Sequence, residues 1–216
     1  GHEKVLRARL ADARFFLTED MKRPLIDYLE DLKQVTYHAK LGTSYEKVER
    51  FTSLAKVISE KIAPEQLAQV ERAALLAKCD LVTEMVGEFP SLQGVVGEEY
   101  ARRNGEDPEV AAAISQHYMP TGAGSALPES LVAVCVGLAD RLDTICGMFG
   151  IGKAPTGAAD PFGLRRAAIG VIRIITEKGL TISLGDLLEQ GLANQGGRLT
   201  KSAAEVKEEI MAFFAA

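Results

Sequence analysis

Three histidines, three cysteines and a run of arginines are the residues of this chain whose types and spacing bear most directly on chemistry. His2, His38 and His117 stand in no His-Asp pair and at no metal-ligand spacing, so each is read as a surface or hydrogen-bonded structural residue. Cys135 and Cys146 fall on one predicted helix. At ~1.5 Å rise per residue they lie roughly 16 Å apart, too far for a disulfide or a shared metal. Cys79 stands alone, and all three thiols are read as small buried hydrophobes in a reducing compartment. Arg165, Arg166 and Arg173 recur at seven- and eight-residue steps along a predicted helix, with Lys153 in the loop before it. Guanidinium groups grip phosphate bidentately, so this stripe is a candidate seat for an RNA backbone. The competing reading is a solvated face ion-paired to Asp160 or Glu177. Arg7, Arg9 and Arg14 form a second basic group, read as interdomain or solvated surface, and Phe15-Phe16 reads as core. There is no phosphate-binding glycine loop, nucleophile elbow or zinc knuckle.

The elements that must position these residues read as helices throughout. From about Glu3 to Asp20, Val5, Leu6, Leu10, Ala13 and Leu17 share one face. Pro24 opens a second helix with Leu25, Tyr28, Leu29 and Leu32. Apolar residues at three- and four-residue steps predict a helix from Ser44 to Ile62, and another from Pro64 to near Gly87. Leu92 to Arg103 resumes the helical pattern, and Asp107-Pro108-Glu109 is a cap followed by a first-turn proline. Beyond a glycine- and proline-rich loop at 119–126, Pro128 to Phe149 carries so few charges that it is expected to be the central buried helix. Asp160-Pro161 repeats the cap-plus-proline signature before Phe162 to Lys178. Shorter helices follow at about Leu184–Leu192 and Ser202–Phe214. No strand pair is predicted, and the fold class expected is all-α.

Bulk properties set outer limits. In 216 residues, 47% hydrophobic and 25% charged, there is ample material for one full core. The net charge of −5 means that any nucleic-acid contact must come from a local basic patch. No apolar run reaches the ~20 residues of a membrane span, and the opening Gly1-His2-Glu3-Lys4 is not a signal peptide. Both ends read as cut from something longer.

Several long strings carry a resemblance to a known family. EKVLRARLADARFF (Glu3–Phe16), KCDLVTEMVGEFP (Lys78–Pro90), LADRLDT (Leu138–Thr144), GIGK (Gly150–Lys153) and DPFGLRRAA (Asp160–Ala168) occur in an order that resembles the bacterial glycyl-tRNA synthetase β subunit. With the helices between them, the resemblance covers essentially the whole chain. It implies an enzyme of two α and two β subunits, a glycine-tRNA ligase of the cytoplasm. The α subunit would carry glycine, ATP and adenylate chemistry, with Mg²⁺, and the β subunit would handle tRNA(Gly). This chain would be the HD-like helical bundle of the β subunit, a single domain over 1–216. The helices at about 1–35 and 180–216 would be appendages linking it to the rest of the subunit.

The resemblance also raises a metal question. HD-type phosphohydrolases hold divalent ions with a His, an adjacent His-Asp pair and a later Asp. Those positions fall here near Ser44, at Cys79-Asp80 and at Asp140, so both imidazoles are missing and no resident metal or cofactor is expected. The structural expectation for Asp80 is a hydrogen bond to backbone near Thr83. For Asp140 it is a partly buried acid paired with an Arg or Lys. The function implied is support of tRNA binding and aminoacylation by a part that is itself non-catalytic. The alternatives are a metal-dependent phosphohydrolase and a scaffold between the α subunit and the tRNA-binding domains.

Overall fold

The structure, a computed structural model, describes residues 1–216. It is an all-α bundle of eleven helices: α1 His2–Asp20, α2 Tyr28–Asp31, α3 Ser44–Ile62, α4 Leu67–Leu76, α5 Glu84–Glu88, α6 Val95–Arg103, α7 Pro108–Gln116, α8 Leu131–Gly150, α9 Leu164–Glu177, α10 Leu184–Ala193 and α11 Ala203–Ala215. The expected fold class holds, and so does the expected centre. Helix α8 packs against α3, α4, α7, α9, α10 and α11, and nearly all of its side chains are buried. Its only charged residues are Asp140, Arg141 and Asp143, so whatever surrounds them must satisfy charge inside the core.

Local chemistry sets the helix starts. Thr43 and Glu46 form a reciprocal capping box at the head of α3, each side chain bonding the other's backbone N–H at 3.1 Å. Asp107 caps α7 with Pro108 following, and Ser130 caps α8 through the Ala133 N–H. The Asp160 carboxylate accepts the N–H groups of Leu164 and Arg165 at the head of α9.

The structure departs from the predicted elements at three places. A two-stranded antiparallel ladder joins Thr36–His38 (β1) to Gly42–Thr43 (β2), where the pattern predicts no strand pair. The stretch after Pro24 is not one helix but a 3-10 turn, the single turn α2 and another 3-10 turn. The helix predicted from Pro64 to near Gly87 ends at Leu76, continues as a 3-10 turn over Cys79–Val82, and restarts as α5 behind the Thr83 cap. Helix α1 stands out differently. Its C-terminal end is tied down where Asp20 accepts the N–H groups of Glu84 and Met85 and the Tyr100 hydroxyl. Val5, Leu6 and Leu10, the apolar face read from the pattern, remain more than 60% exposed. Residues of both proposed appendages enter the core: Leu25, Tyr28 and Leu32 near one end, Val206 and Ile210 near the other.

No helix is long and apolar enough to cross a membrane.

Candidate functional site

The charges of α8 meet those of α3 across the core. Lys47 and Arg50, one turn apart on α3, face Asp140 and Asp143, one turn apart on α8. The Lys47 ammonium lies 2.8 Å from Asp143 and 3.4 Å from Asp140, and donates to the Thr144 hydroxyl at 2.9 Å. Arg50 Nε donates to Asp143 at 3.0 Å, and Gln195 Nε2 donates to the same oxygen at 3.0 Å. Lys78, just past the end of α4, completes the cluster from the other side, 2.8 Å from Asp140. Asp140 therefore lies between two ammonium groups.

Burial by itself would raise the Asp140 pKa, but the charges of Lys78 and Lys47 outweigh it and hold the carboxyl well below the usual range. Burial likewise opposes the charge on Lys47, yet Asp143, Tyr37 and Asp140 raise its pKa on balance. Lys78 is raised in the same way, chiefly by Asp140. Both lysines are thus locked as cations.

His117 joins this cluster, which its sequence context did not reveal. Its Nδ1 donates to the Ile114 carbonyl at 2.6 Å, which leaves Nε2 to accept from Lys78 at 3.0 Å. Burial, reinforced by the positive charge of Lys78, lowers its pKa to about 3. The imidazole is therefore neutral and both ring nitrogens are occupied, in keeping with the satisfied position expected of it.

Arg141 points the other way along α8. Its guanidinium donates to the carbonyls of His117, Gly137, Tyr118 and Pro120, clamping the segment after α7. It passes between Gly137 and Gly170, where a Cβ would sit 3.0 Å and 2.7 Å from guanidinium nitrogens. Only glycine leaves that path open.

Of the four positions assigned to a degenerate HD pocket, the structure brings Asp140 alone into the cluster. Ser44 sits at the head of α3 and gives its N–H to Val35, so Lys47, one turn on, faces Asp140 in its place. The Cys79 thiol donates back to the Leu75 carbonyl, and its neighbour Lys78 makes the contact. Asp80 is fully buried, and its carboxylate accepts the N–H groups of Gly94 and Gly97 at 2.6 and 2.9 Å, at the start of α6. Burial raises its pKa, with those two N–H bonds working against the rise. The expected link to Thr83 exists in reverse: the Thr83 hydroxyl donates to the Asp80 main-chain carbonyl at 2.6 Å.

The basic stripe divides into paired and unpaired members. Arg173 is ion-paired to Glu177 at 2.7 Å and also donates to the Ser125 carbonyl. Arg165 donates to the Gly157 carbonyl and has no carboxylate partner. Arg166 and Lys153 are exposed and unpaired. Arg166 borders a cleft of about 580 Å³ that runs past the segment after α7 to Asp140 and Arg141.

Comparison with known proteins places the chain in a family. The family model described as "Glycyl-tRNA synthetase beta subunit" matches residues 1–216. Among similar proteins, one from Geotalea uraniireducens is 54% identical over 214 residues, which is 99% of this chain and 31% of the relative. Others from Geobacter metallireducens and Geobacter sulfurreducens are 52% and 53% identical over the same shares. All three are named glycine–tRNA ligase β subunit. The chain spans about a third of the length of these curated relatives. On a match that runs from the first residue to the last, the chain belongs to the glycyl-tRNA synthetase β-subunit family.

Proposed function

We propose that this chain is a non-catalytic, HD-like part of a glycine-tRNA ligase, acting in the cytoplasm beside an α subunit that performs the glycine and ATP chemistry with Mg²⁺. The assembly it serves would hold two α and two β subunits. The observation that carries the non-catalytic reading is the pair of ammonium groups on Asp140. A hydrolase of the HD type needs that carboxylate and nearby imidazoles as metal ligands. Here the acid is neutralised by Lys78 and Lys47, and the one imidazole in the cluster already has both nitrogens engaged. The phosphohydrolase alternative lacks ligands for its metal.

The tRNA contact proposed is made by Lys153, Arg165 and Arg166, three cations without carboxylate partners on a chain that is acidic overall. Arg173, tied to Glu177, contributes less. The test is a Lys153→Ala/Arg165→Ala/Arg166→Ala variant of the complete ligase. Phosphate binding releases counterions, so tRNA affinity should fall and its salt dependence should become shallower by roughly one unit of slope for each phosphate no longer neutralised. Glycine-dependent pyrophosphate exchange should be unchanged. A lowered melting temperature with an unaltered salt slope would make this face a scaffold surface instead.

A further inference from the structure

The cleft beside the charge cluster has a binding character that the tRNA face does not account for. At about 580 Å³ it falls in the size range of pockets that hold a nucleotide-sized molecule. Ser91, Gln93 and Thr121 line it, are exposed, and spend no side-chain hydrogen bond within the chain. Arg166 stands over it with its guanidinium unengaged, whereas Arg9, Arg23, Arg102, Arg103 and Arg173 all hold carboxylates.

The charge behind the wall favours an anion. Lys47, Arg50, Lys78 and Arg141 are four cations set against three buried carboxylates, Asp140, Asp143 and Asp80, so a surplus of one positive charge lies behind the wall before Arg166 is counted. Glu98, the acid next to the lining residue Ser115, is held by Arg102 and by the Ser115 hydroxyl. Asp160, near Phe162, is spent on backbone N–H groups at the head of α9. Phe162 offers a partly exposed ring at the rim. A guanidinium fork, free hydroxyls, surplus positive charge and an aromatic face together match a phosphoryl group attached to a base.

We propose that this cleft binds one nucleoside phosphate, with its phosphoryl group on Arg166 and the hydroxyls of Ser91 and Thr121 and its base against Phe162. The natural occupant is either a free nucleotide or an unpaired nucleotide of an RNA strand. The inference shares Arg166 with the proposed tRNA face and rests on that reading only through this one residue.

The test is calorimetric titration of the 216-residue chain with AMP, GMP, CMP and UMP, and with the matching nucleosides and inorganic phosphate. The same titrations are run on Arg166→Ala, Arg166→Lys and, as a control, Lys178→Ala at the other end of α9. Arg166 makes no contact that folding depends on, so its variants should fold. Saturable one-to-one binding of at least one monophosphate is expected. Loss of a charged bidentate donor should weaken it about tenfold or more in Arg166→Ala, and less in Arg166→Lys, which keeps the charge but not the fork. Lys178→Ala should bind as the parent chain does. Adding tRNA separates the two sources: displacement of the bound monophosphate identifies a strand nucleotide, and simultaneous binding identifies a free one. No saturable binding of any monophosphate at millimolar concentration, or binding that Arg166→Ala leaves undiminished, overturns the proposal. A Lys153→Ala/Arg165→Ala variant of the complete ligase with unchanged tRNA affinity would count against the tRNA face and leave this result standing.

Discussion

Lowering the pH from 7 to 5 should destabilise this fold by about 2 kcal/mol through a single imidazole, that of His117. Burial and the adjacent Lys78 ammonium lower its pKa to about 3 in the folded chain, whereas an unfolded histidine titrates near ~6.5. Below about pH 6.5 the unfolded chain therefore takes up a proton that the folded chain refuses. Because the unfolded state binds more protons, stability falls as pH falls. Between pH 7 and pH 5 the separation of the two titration curves amounts to about 2 kcal/mol. Most carboxylates titrate lower in the unfolded chain, near ~4, so this window favours the imidazole. Urea unfolding at pH 7, 6 and 5 is the assay. With a denaturant slope near ~2 kcal/mol per molar, the midpoint should drop by about 1 M across the window. His117→Gln keeps an amide able to donate to Ile114 and accept from Lys78 but cannot be protonated. It should be less stable at pH 7 and should lose no stability between pH 7 and 5, because Asp80, whose pKa burial raises, works in the opposite direction. Equal pH slopes for the parent chain and His117→Gln would refute the reasoning, and so would an NMR titration of His117 centred near pH 6.5 in the folded state.

Asp143→Ala should cost about 3–5 kcal/mol in urea unfolding, because it strands the buried charge of Arg50 and leaves Lys47 only its longer contact with Asp140. Gly170→Ala would place a methyl group 2.7 Å from Arg141 Nε, and a loss of about 1–3 kcal/mol is expected. Gly87→Ala, in helix α5 with nothing within 4 Å of its new Cβ, should by contrast be neutral or gain up to ~1 kcal/mol. Because two ammonium groups already neutralise Asp140, elemental analysis of the purified chain should find no stoichiometric zinc, iron or manganese, and EDTA should leave its melting temperature unchanged. A single equivalent of bound metal would contradict that view of the cluster.

Most of the helices are legible in the sequence because helical amphipathicity, caps and first-turn prolines are local signals. The Asp107-Pro108 start and the near-chargeless stretch from 131 to 150 need no knowledge of distant contacts, whereas Pro161 lies in a turn and α9 begins only at Leu164, behind Gly163. The same local pattern shows that a face wants a partner but not whether one is present, which is why Val5, Leu6 and Leu10 read as one apolar face yet lie exposed. The breaks at Leu76 and after Pro24 escape the pattern because 3-10 segments of three or four residues are too short for their period of three to be told from that of a continuous α-helix. Asp140 can be singled out from the sequence as an acid in an apolar helix that needs a cation. Which cation answers it is decided by tertiary structure, since Lys78 lies 62 residues away and Lys47 reaches α8 from 93 to 97 residues away. His117 is the same case: an unremarkable histidine after α7 until folding sets its ring between Ile114 and Lys78. The basic stripe is visible from helical pitch, but the carboxylate at i+4 that ties up Arg173 and the cleft that leaves Arg166 free distinguish two arginines that the pattern treats alike. Charge pairing across a core depends on which helices pack together, and that follows from the sum of all the apolar faces, so no short stretch of the sequence determines it.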